Sequence, residues 1–299
     1  MSESVIQKQS NNEKYISVKE ALKTQTQLTQ SDSPLLDCHL LLGQALGKPR
    51  SWLLAHDDYI LSTSESASYF SAFQQRKEGI PIAYILGEQE FWSLRFTVNQ
   101  STLIPRAETE LLIEAILDRF PPDTKKDHSK GRVQVIDLGT GAGPIAISLA
   151  SERKHFKIVA TDRSFDTLCT AQRNSQQVSS NKVVFVQCDW LTAFEDGQFD
   201  LIVSNPPYVE ADDKHLESLK HEPYNALVAD EKGLGDFRKI ISSAEQKLRK
   251  GGMIILEHGY DQQSAVEGIL VEYGFSGIEK LKDLNGQDRV ILAYGPDAK

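Results

Sequence analysis

The chain has little of what several protein classes require. Among its 299 residues only three are cysteine, Cys38, Cys169 and Cys188, and no two form a Cys-x-x-Cys pair. An odd, dispersed set argues against a disulfide framework and against a cysteine zinc site, and predicts reduced thiols in a cytoplasmic protein. No apolar run approaches the ~20 residues of a membrane helix. The opening MSESVIQKQSNNEKY has no apolar core of a secretion signal, and with Glu3, Glu13 and no Arg it does not read as a transit peptide. A disordered tail over 1–15 is expected. Blocks of Lys and Arg are also missing, and the net charge is -9 at a pI near 5.4. Phosphate contacts are therefore not expected to carry the main affinity, and neither a membrane nor a direct nucleic-acid partner is expected.

What is present is a 40% hydrophobic, 25% charged composition, that of a soluble globular protein long enough for two domains. Ser17-Val18-Lys19-Glu20 is a capping box that opens a helix over 18–27. Ser33-Pro34 fits an N-cap followed by the first helical residue, and Leu35, Leu36, His39, Leu40 and Leu42 give an apolar side up to Gly47. Short helices over 51–56 and 64–77 complete a helical bundle, with the leucines read as core. In Glu90-Phe91-Trp92-Ser93-Leu94-Arg95-Phe96-Thr97-Val98 the period switches to two, a strand or hairpin pattern.

From Arg132 onward strands and helices alternate. The runs over 133–138, 157–161, 183–187, 201–204 and 253–257 predict parallel strands joined by crossover helices, an α/β open sheet. Runs over 278–281 and 289–294, separated by Asn285-Gly286, predict a closing hairpin with an antiparallel last strand. The expected organisation is a helical domain over 16–80, a β-hairpin linker over 81–104, and an α/β domain over 105–299.

Asp137-Leu138-Gly139-Thr140-Gly141-Ala142-Gly143 is a strand running into a glycine turn, with an apolar helix from near Pro144. Glycines let backbone approach a ligand closely, and in an open sheet this turn borders the crevice where ligands bind. Asp162 ends the second strand about 20 residues on, where a carboxylate can accept both ribose hydroxyls of a nucleoside. The G-x-G-x-G spacing departs from the G-x-G-x-x-G of dinucleotide sites, although a dinucleotide site and a purely structural turn remain alternatives. Gln187-Cys188-Asp189-Trp190 ends the third strand. Beside an adenine, Asp189 could accept from the exocyclic amine and Trp190 could stack, or Trp190 is a half-buried core aromatic.

Ser204-Asn205-Pro206-Pro207-Tyr208 ends the fourth strand beside the same crevice. A planar carboxamide nitrogen has a delocalised lone pair and attacks carbon poorly. Two acceptors that grip its N–H groups overcome part of that: the uncharged Asn205 side-chain oxygen and the Pro206 carbonyl. The two prolines stiffen this cradle, and the Tyr208 ring packs against the flat group. Most of the gain would be positioning, for which the general ceiling is ~7–11 kcal/mol. His258 is the tempting catalytic histidine of an oxidoreductase reading, but a structural role near the pocket floor is the expectation.

With these residues the chain resembles class I S-adenosylmethionine-dependent methyltransferases with a Rossmann-like sheet, and within them the HemK-type protein-(glutamine-N5) methyltransferases of peptide chain release factors. The likeness runs from about Ser17 to Tyr294. It includes Pro81-Ile82-Ala83-Tyr84-Ile85-Leu86-Gly87, Glu90-Phe91-Trp92, Leu103-Ile104-Pro105-Arg106, Glu222-Pro223 ahead of Ala226-Leu227, and Glu257-His258-Gly259. Ala107 departs from the usual Arg-Pro-Asp/Glu-Thr-Glu, with Arg106, Glu108, Thr109 and Glu110 kept.

The resemblance implies a small N-terminal helical domain that docks the release factor. It implies S-adenosylmethionine held by Asp137, Gly139, Thr140, Gly141, Ala142, Gly143, Asp162, Asp189, Trp190 and Asn205. It also implies the Gln of a Gly-Gly-Gln loop bound by Asn205, Pro206, Pro207 and Tyr208, with Asn205, Pro206 and Tyr208 catalytic and no metal. A monomer in the cytoplasm is expected. Alternatives are a glutamine methyltransferase of a ribosomal protein, an amino-methyltransferase of nucleic-acid bases, an NAD-dependent oxidoreductase and a non-catalytic nucleoside-binding protein.

Overall fold

Ser17 opens the first helix as its sequence requires. Its hydroxyl accepts from the Glu20 amide at 3.2 Å while Glu20 Oε2 accepts from the Ser17 amide at 3.0 Å. The computed structural model describes residues 16–122, 132–178 and 183–296. The expected tail over 1–15 and most of the polar segment after Pro122 lie outside the described residues.

The first compact unit ends at Leu86. It holds α1 (Val18–Leu22), which continues as a 3₁₀ turn to Gln27, α2 (Pro34–Leu46), α3 (Arg50–Ala55), α4 (Thr63–Lys77) and α5 (Ile82–Leu86). Pro34 sits in the first turn of α2 and Gly47 ends it in the left-handed region at φ 63°. A second capping box, Ser62 with Glu65, opens α4. Val18, Leu41, Leu42, Leu53 and Tyr69 are fully buried in the core of this unit.

The second unit begins at Gly87. The stretch 81–104, expected as a linker, is thus divided: α5 belongs to the first unit and the hairpin to the second. That hairpin is β1 (Glu88–Phe91) with β2 (Leu94–Thr97), turning at Trp92-Ser93, both at positive φ. Phe91 and Phe96 bury themselves in the α/β core with Leu112, Ile113 and Ile116 of α6 (Glu110–Arg119).

Then come β3 (Val133–Leu138), α7 (Pro144–Glu152), β4 (Phe156–Asp162), α8 (Phe165–Gln177), β5 (Val183–Gln187) and β6 (Phe199–Ser204). The chain finishes through α9 (Asp230–Gly233), α10 (Gly235–Lys247), β7 (Leu248–Glu257), α11 (Gln263–Glu272), β8 (Ser276–Lys282) and β9 (Asp288–Tyr294). Among the described residues no helix is long and apolar enough to cross a membrane.

The sheet order is β5-β4-β3-β6-β7-β9-β8, with β9 antiparallel to both its neighbours and the other pairs parallel. This is the open sheet with an antiparallel last strand that the apolar runs predict. The runs are continuous because both faces are covered. Val135, Leu201, Val203 and Ile255 face one core with α6 and α7, while Ile136, Ile202, Ile254 and Leu256 face the other with α10 and α11. Strand order reverses between β3 and β6, the switch point at which open sheets leave a ligand crevice. Register pairs Leu138 with Ser204 and Ser204 with Leu256, so Gly139, Asn205 and Glu257 lie side by side at the strands' carboxyl edge.

Candidate active site

The glycine turn after β3 is built from below. Asp137, fully buried, accepts from the Thr140 hydroxyl at 2.6 Å and the Ala146 amide at 3.2 Å, both on Oδ2. Burial pushes its carboxyl up to about 7, and Oδ1 is left without a partner. Gly139, Gly141 and Gly143 all adopt positive φ, at 68°, 57° and 88°. Gly143 caps α7 at φ 88°, a left-handed backbone that favours glycine, and a Cβ there would also push on the Ile147 side chain at 2.6 Å from Cδ1. Gly139 leaves room for the Trp190 ring, which a Cβ would approach to 3.3 Å.

A cavity of about 360 Å³ opens over this turn, within the size range of small-molecule sites. Gly139, Gly141, Asp162, Asp189, Trp190, Asn205 and Pro207 line it. Asp137, Thr140, Ala142 and Gly143 do not; they are buried beneath and shape the turn. Asp162 closes one end, its Oδ2 accepting from the Gly141 amide at 3.2 Å and its Oδ1 from the Ser164 amide at 2.9 Å. Its carboxyl is raised by burial, partly offset by those two amides. Trp190 holds φ at 46°, uncommon for a bulky residue and the kind of local strain that clusters at ligand sites.

Asn205 leaves β6 into the same cavity. Its Nδ2 donates to Thr109 Oγ1 at 3.1 Å, so its Oδ1 is the group left for the cavity. Pro206 is buried, and among the described residues nothing donates to its carbonyl. The far side of the turn is clamped: the Tyr208 and Val209 amides donate to the Leu227 carbonyl, and Gln262 Nε2 donates to the Tyr208 carbonyl at 2.9 Å. The Tyr208 ring packs on the α10–α11 core, and burial raises its hydroxyl above the usual phenol range. Pro206 and Tyr208 are not among the residues that line this cavity, while Asn205 and Pro207 on either side of Pro206 are.

The mouth is made by two stretches far apart in sequence. Glu222, whose side chain is 2% exposed, accepts from Arg106 Nη2 at 2.5 Å and from the Ile104 amide at 3.1 Å. That ties the chain beside Leu103 to the chain leading into Pro223, Asn225 and Ala226, all of which line the cavity. Ser101, Ser164, Thr167 and Asn225 also line it, and no local pattern marks them. His258 is buried, with Nδ1 on the Gly259 carbonyl at 2.8 Å, outside the cavity wall.

Two family models match. The Methyltransferase small domain covers residues 109–230 and the PrmC N-terminal domain covers residues 20–87. A release factor glutamine methyltransferase of Vibrio cholerae is 43% identical over 93% of this chain and 96% of its own length. Those of Salmonella typhimurium and Escherichia coli are 41% and 38% identical over 88% and 89% of this chain, and 93% and 94% of their own. Among solved structures, a methyltransferase from Pyrococcus furiosus superposes with a TM-score of 0.51 at 17% identity, over 77% of this chain and 99% of that one, a likeness of fold.

Proposed function

The chain belongs to the release factor glutamine methyltransferase family, and we propose that it transfers a methyl group from S-adenosylmethionine to the side-chain amide nitrogen of the Gln in the Gly-Gly-Gln motif of peptide chain release factors. The observation that carries the reading is the orientation of Asn205. With Nδ2 committed to Thr109, Oδ1 is the group available to a substrate NH2. The Pro206 carbonyl supplies a second acceptor in the same rigid turn. Two acceptors on two N–H groups fix the plane of the amide and polarise it toward its nitrogen. Neither acceptor is charged, so neither draws a proton that the reaction needs elsewhere.

The residues around the cavity fit the cofactor. Gly139 and Gly141 allow close approach of backbone, Asp162 stands where it can accept two ribose hydroxyls, and Asp189 with Trp190 flanks the place of an adenine. When bound, S-adenosylmethionine supplies an electrophilic methyl on a sulfonium whose charge disappears on transfer. A buried, proline-walled site suits that loss of charge. The first unit docks the release factor in this reading. The relatives, named as release factor glutamine methyltransferases, favour a release factor over a ribosomal protein or a nucleic-acid base. We place the enzyme in the cytoplasm, as a monomer.

The test mixes methyl-deuterated S-adenosylmethionine with purified release factors, ribosomal proteins and DNA, and maps the label by mass spectrometry. The expected product carries one labelled methyl on the Gly-Gly-Gln side-chain amide. Label found only on ribosomal protein or DNA would overturn the assignment.

A further inference from the structure

Helix α8 turns a polar face inward. Thr167, Thr170 and Asn174 stand three and four residues apart on one side of the helix and are 3%, 2% and 0% exposed. Threonine and asparagine are weak helix formers, and a buried carboxamide is costly unless its hydrogen bonds are met. One stretch of chain meets them, the end of β2 and the turn that follows. Asn174 Oδ1 accepts from the Thr97 amide at 2.8 Å, and its Nδ2 donates to the Thr97 carbonyl at 3.0 Å. Thr170 Oγ1 accepts from Asn99 Nδ2 at 3.0 Å. Thr167 Oγ1 donates to the Ser101 carbonyl at 2.7 Å. Residues 97, 99 and 101 thus meet 174, 170 and 167, in reverse order.

This seam reaches the cavity from two sides. Asn174 Nδ2 also donates to the Ala142 carbonyl, within the glycine turn, at 2.9 Å. Asn99 Oδ1 accepts from the Ser101 amide at 2.8 Å and the Ser101 hydroxyl at 2.6 Å, which shapes the turn that brings Ser101 to the cavity wall. We propose that Asn174 and Thr170 are positioning residues for the cofactor. Neither lines the cavity; together they hold its wall at Ser101 and Leu103 in register with the glycine turn. Leu168 and Ala171 of the same helix fill the core, but apolar burial has no direction and cannot fix the register of an irregular segment. Hydrogen bonds can. Asn174 leaves no choice of orientation: reversing its amide would set donor against donor at the Thr97 amide and acceptor against acceptor at Ala142. The inference rests on the reading that this cavity takes S-adenosylmethionine.

Asn174→Asp keeps the size and the acceptor but sets an oxygen against the Thr97 and Ala142 carbonyls. Thr170→Val keeps the shape and removes the acceptor for Asn99, while Thr170→Ser keeps that acceptor. Ile269→Ala, on α11 in the core of the other sheet face, is the control for general destabilisation. Each variant is read by Tm and, well below its Tm, by calorimetric titration with S-adenosylmethionine and by release-factor methylation kinetics. The Kd for S-adenosylmethionine is expected to rise about tenfold in Asn174→Asp and about threefold or more in Thr170→Val, and to stay within about twofold of wild type in Thr170→Ser. The loss should appear in KM for S-adenosylmethionine more than in kcat. Ile269→Ala should lower Tm and leave Kd within about twofold. A seam that only supports the fold would give a lower Tm with wild-type Kd in both Asn174→Asp and Thr170→Val, and that result would overturn the proposal. So would an equal loss of affinity in Ile269→Ala. If Asn174→Asp does not fold, the contrast of Val with Ser at position 170 decides alone. Wild-type protein that binds no S-adenosylmethionine would sink the cofactor reading and this inference with it, a failure seen before any variant is made.

Discussion

Asn205 and Thr109, 96 residues apart in sequence, meet at 3.1 Å from Nδ2 to Oγ1. That contact gives the amide of Asn205 a direction, and the direction makes the cavity an acceptor site. Removing the acceptor should remove the chemistry and little else. Asn205→Ala is expected to lower methyl transfer by about 10²–10³, the cost of deleting one oriented hydrogen-bonding group at a reacting centre. The fold should persist and cofactor affinity should stay largely intact. Single-turnover transfer beside calorimetric cofactor binding checks both halves.

Asp162 has two tasks: it braces the glycine turn through the Gly141 amide at 3.2 Å and it faces the cavity. Asp162→Ala should weaken S-adenosylmethionine by at least about tenfold, since charge-assisted hydrogen bonds contribute about 1.5–3 kcal/mol each. Titration calorimetry reads this directly. Unchanged affinity would place the ribose elsewhere.

Arg106 and Glu222 bind the two sides of the mouth together. In Arg106→Ala the Glu222 carboxylate stays buried and keeps only the Ile104 amide. A fully enclosed pair broken this way costs about 3–5 kcal/mol. Arg106 is 33% exposed, so solvent already screens the pair, and a loss of about 1–3 kcal/mol is expected. Denaturant unfolding measures it, and a loss within about 0.5 kcal/mol would show that the latch carries no strength.

Two buried carboxyls give stability a dependence on pH. Burial raises Asp137 from the usual 3.8 to about 7 and Glu257 from the usual 4.5 to about 7. Between those limits the folded protein binds more protons than the unfolded one. Their contribution is therefore complete below about pH 4 and is lost as pH rises through about 7. The double variant Asp137→Asn, Glu257→Gln should show a flatter dependence of Tm on pH between about 5 and 8 than wild type. Parallel curves would mean that neither group stays protonated in the fold.

The central strands were legible because each carries a short apolar run with a turn signal near its end. Val133–Leu138 into Gly139 shows this, as does the Asn285-Gly286 turn into β9. By contrast, β8 (Ser276–Lys282) is largely polar and exposed. The helical starts at Ser17 and Ser62 were legible or not according to local chemistry: the first capping box stands out, and the second yields a helix one residue longer than its apolar period suggests. Asn205, Asp162 and Trp190 could be placed in one crevice because all three stand at or just after the ends of strands, which an open sheet brings to one edge.

Other features could not be read that way. Asp137 and Thr140 belong to the glycine motif, yet they look downward and hold the turn rather than lining the cavity. Ser101, Thr167 and Asn225 reach the cavity through packing between segments that no local period connects. The meeting of Thr109 and Asn205 depends on where β6 ends and where α6 begins, both set by the whole core.

The most direct test is a crystal structure with S-adenosylhomocysteine and a glutamine-bearing release factor bound. The account predicts the Gln side-chain nitrogen within hydrogen-bond reach, about 2.7–3.2 Å, of both Asn205 Oδ1 and the Pro206 carbonyl, its remaining face toward the cofactor sulfur. A glutamine held by other groups, with Asn205 turned from the sulfur or presenting Nδ2, would contradict it.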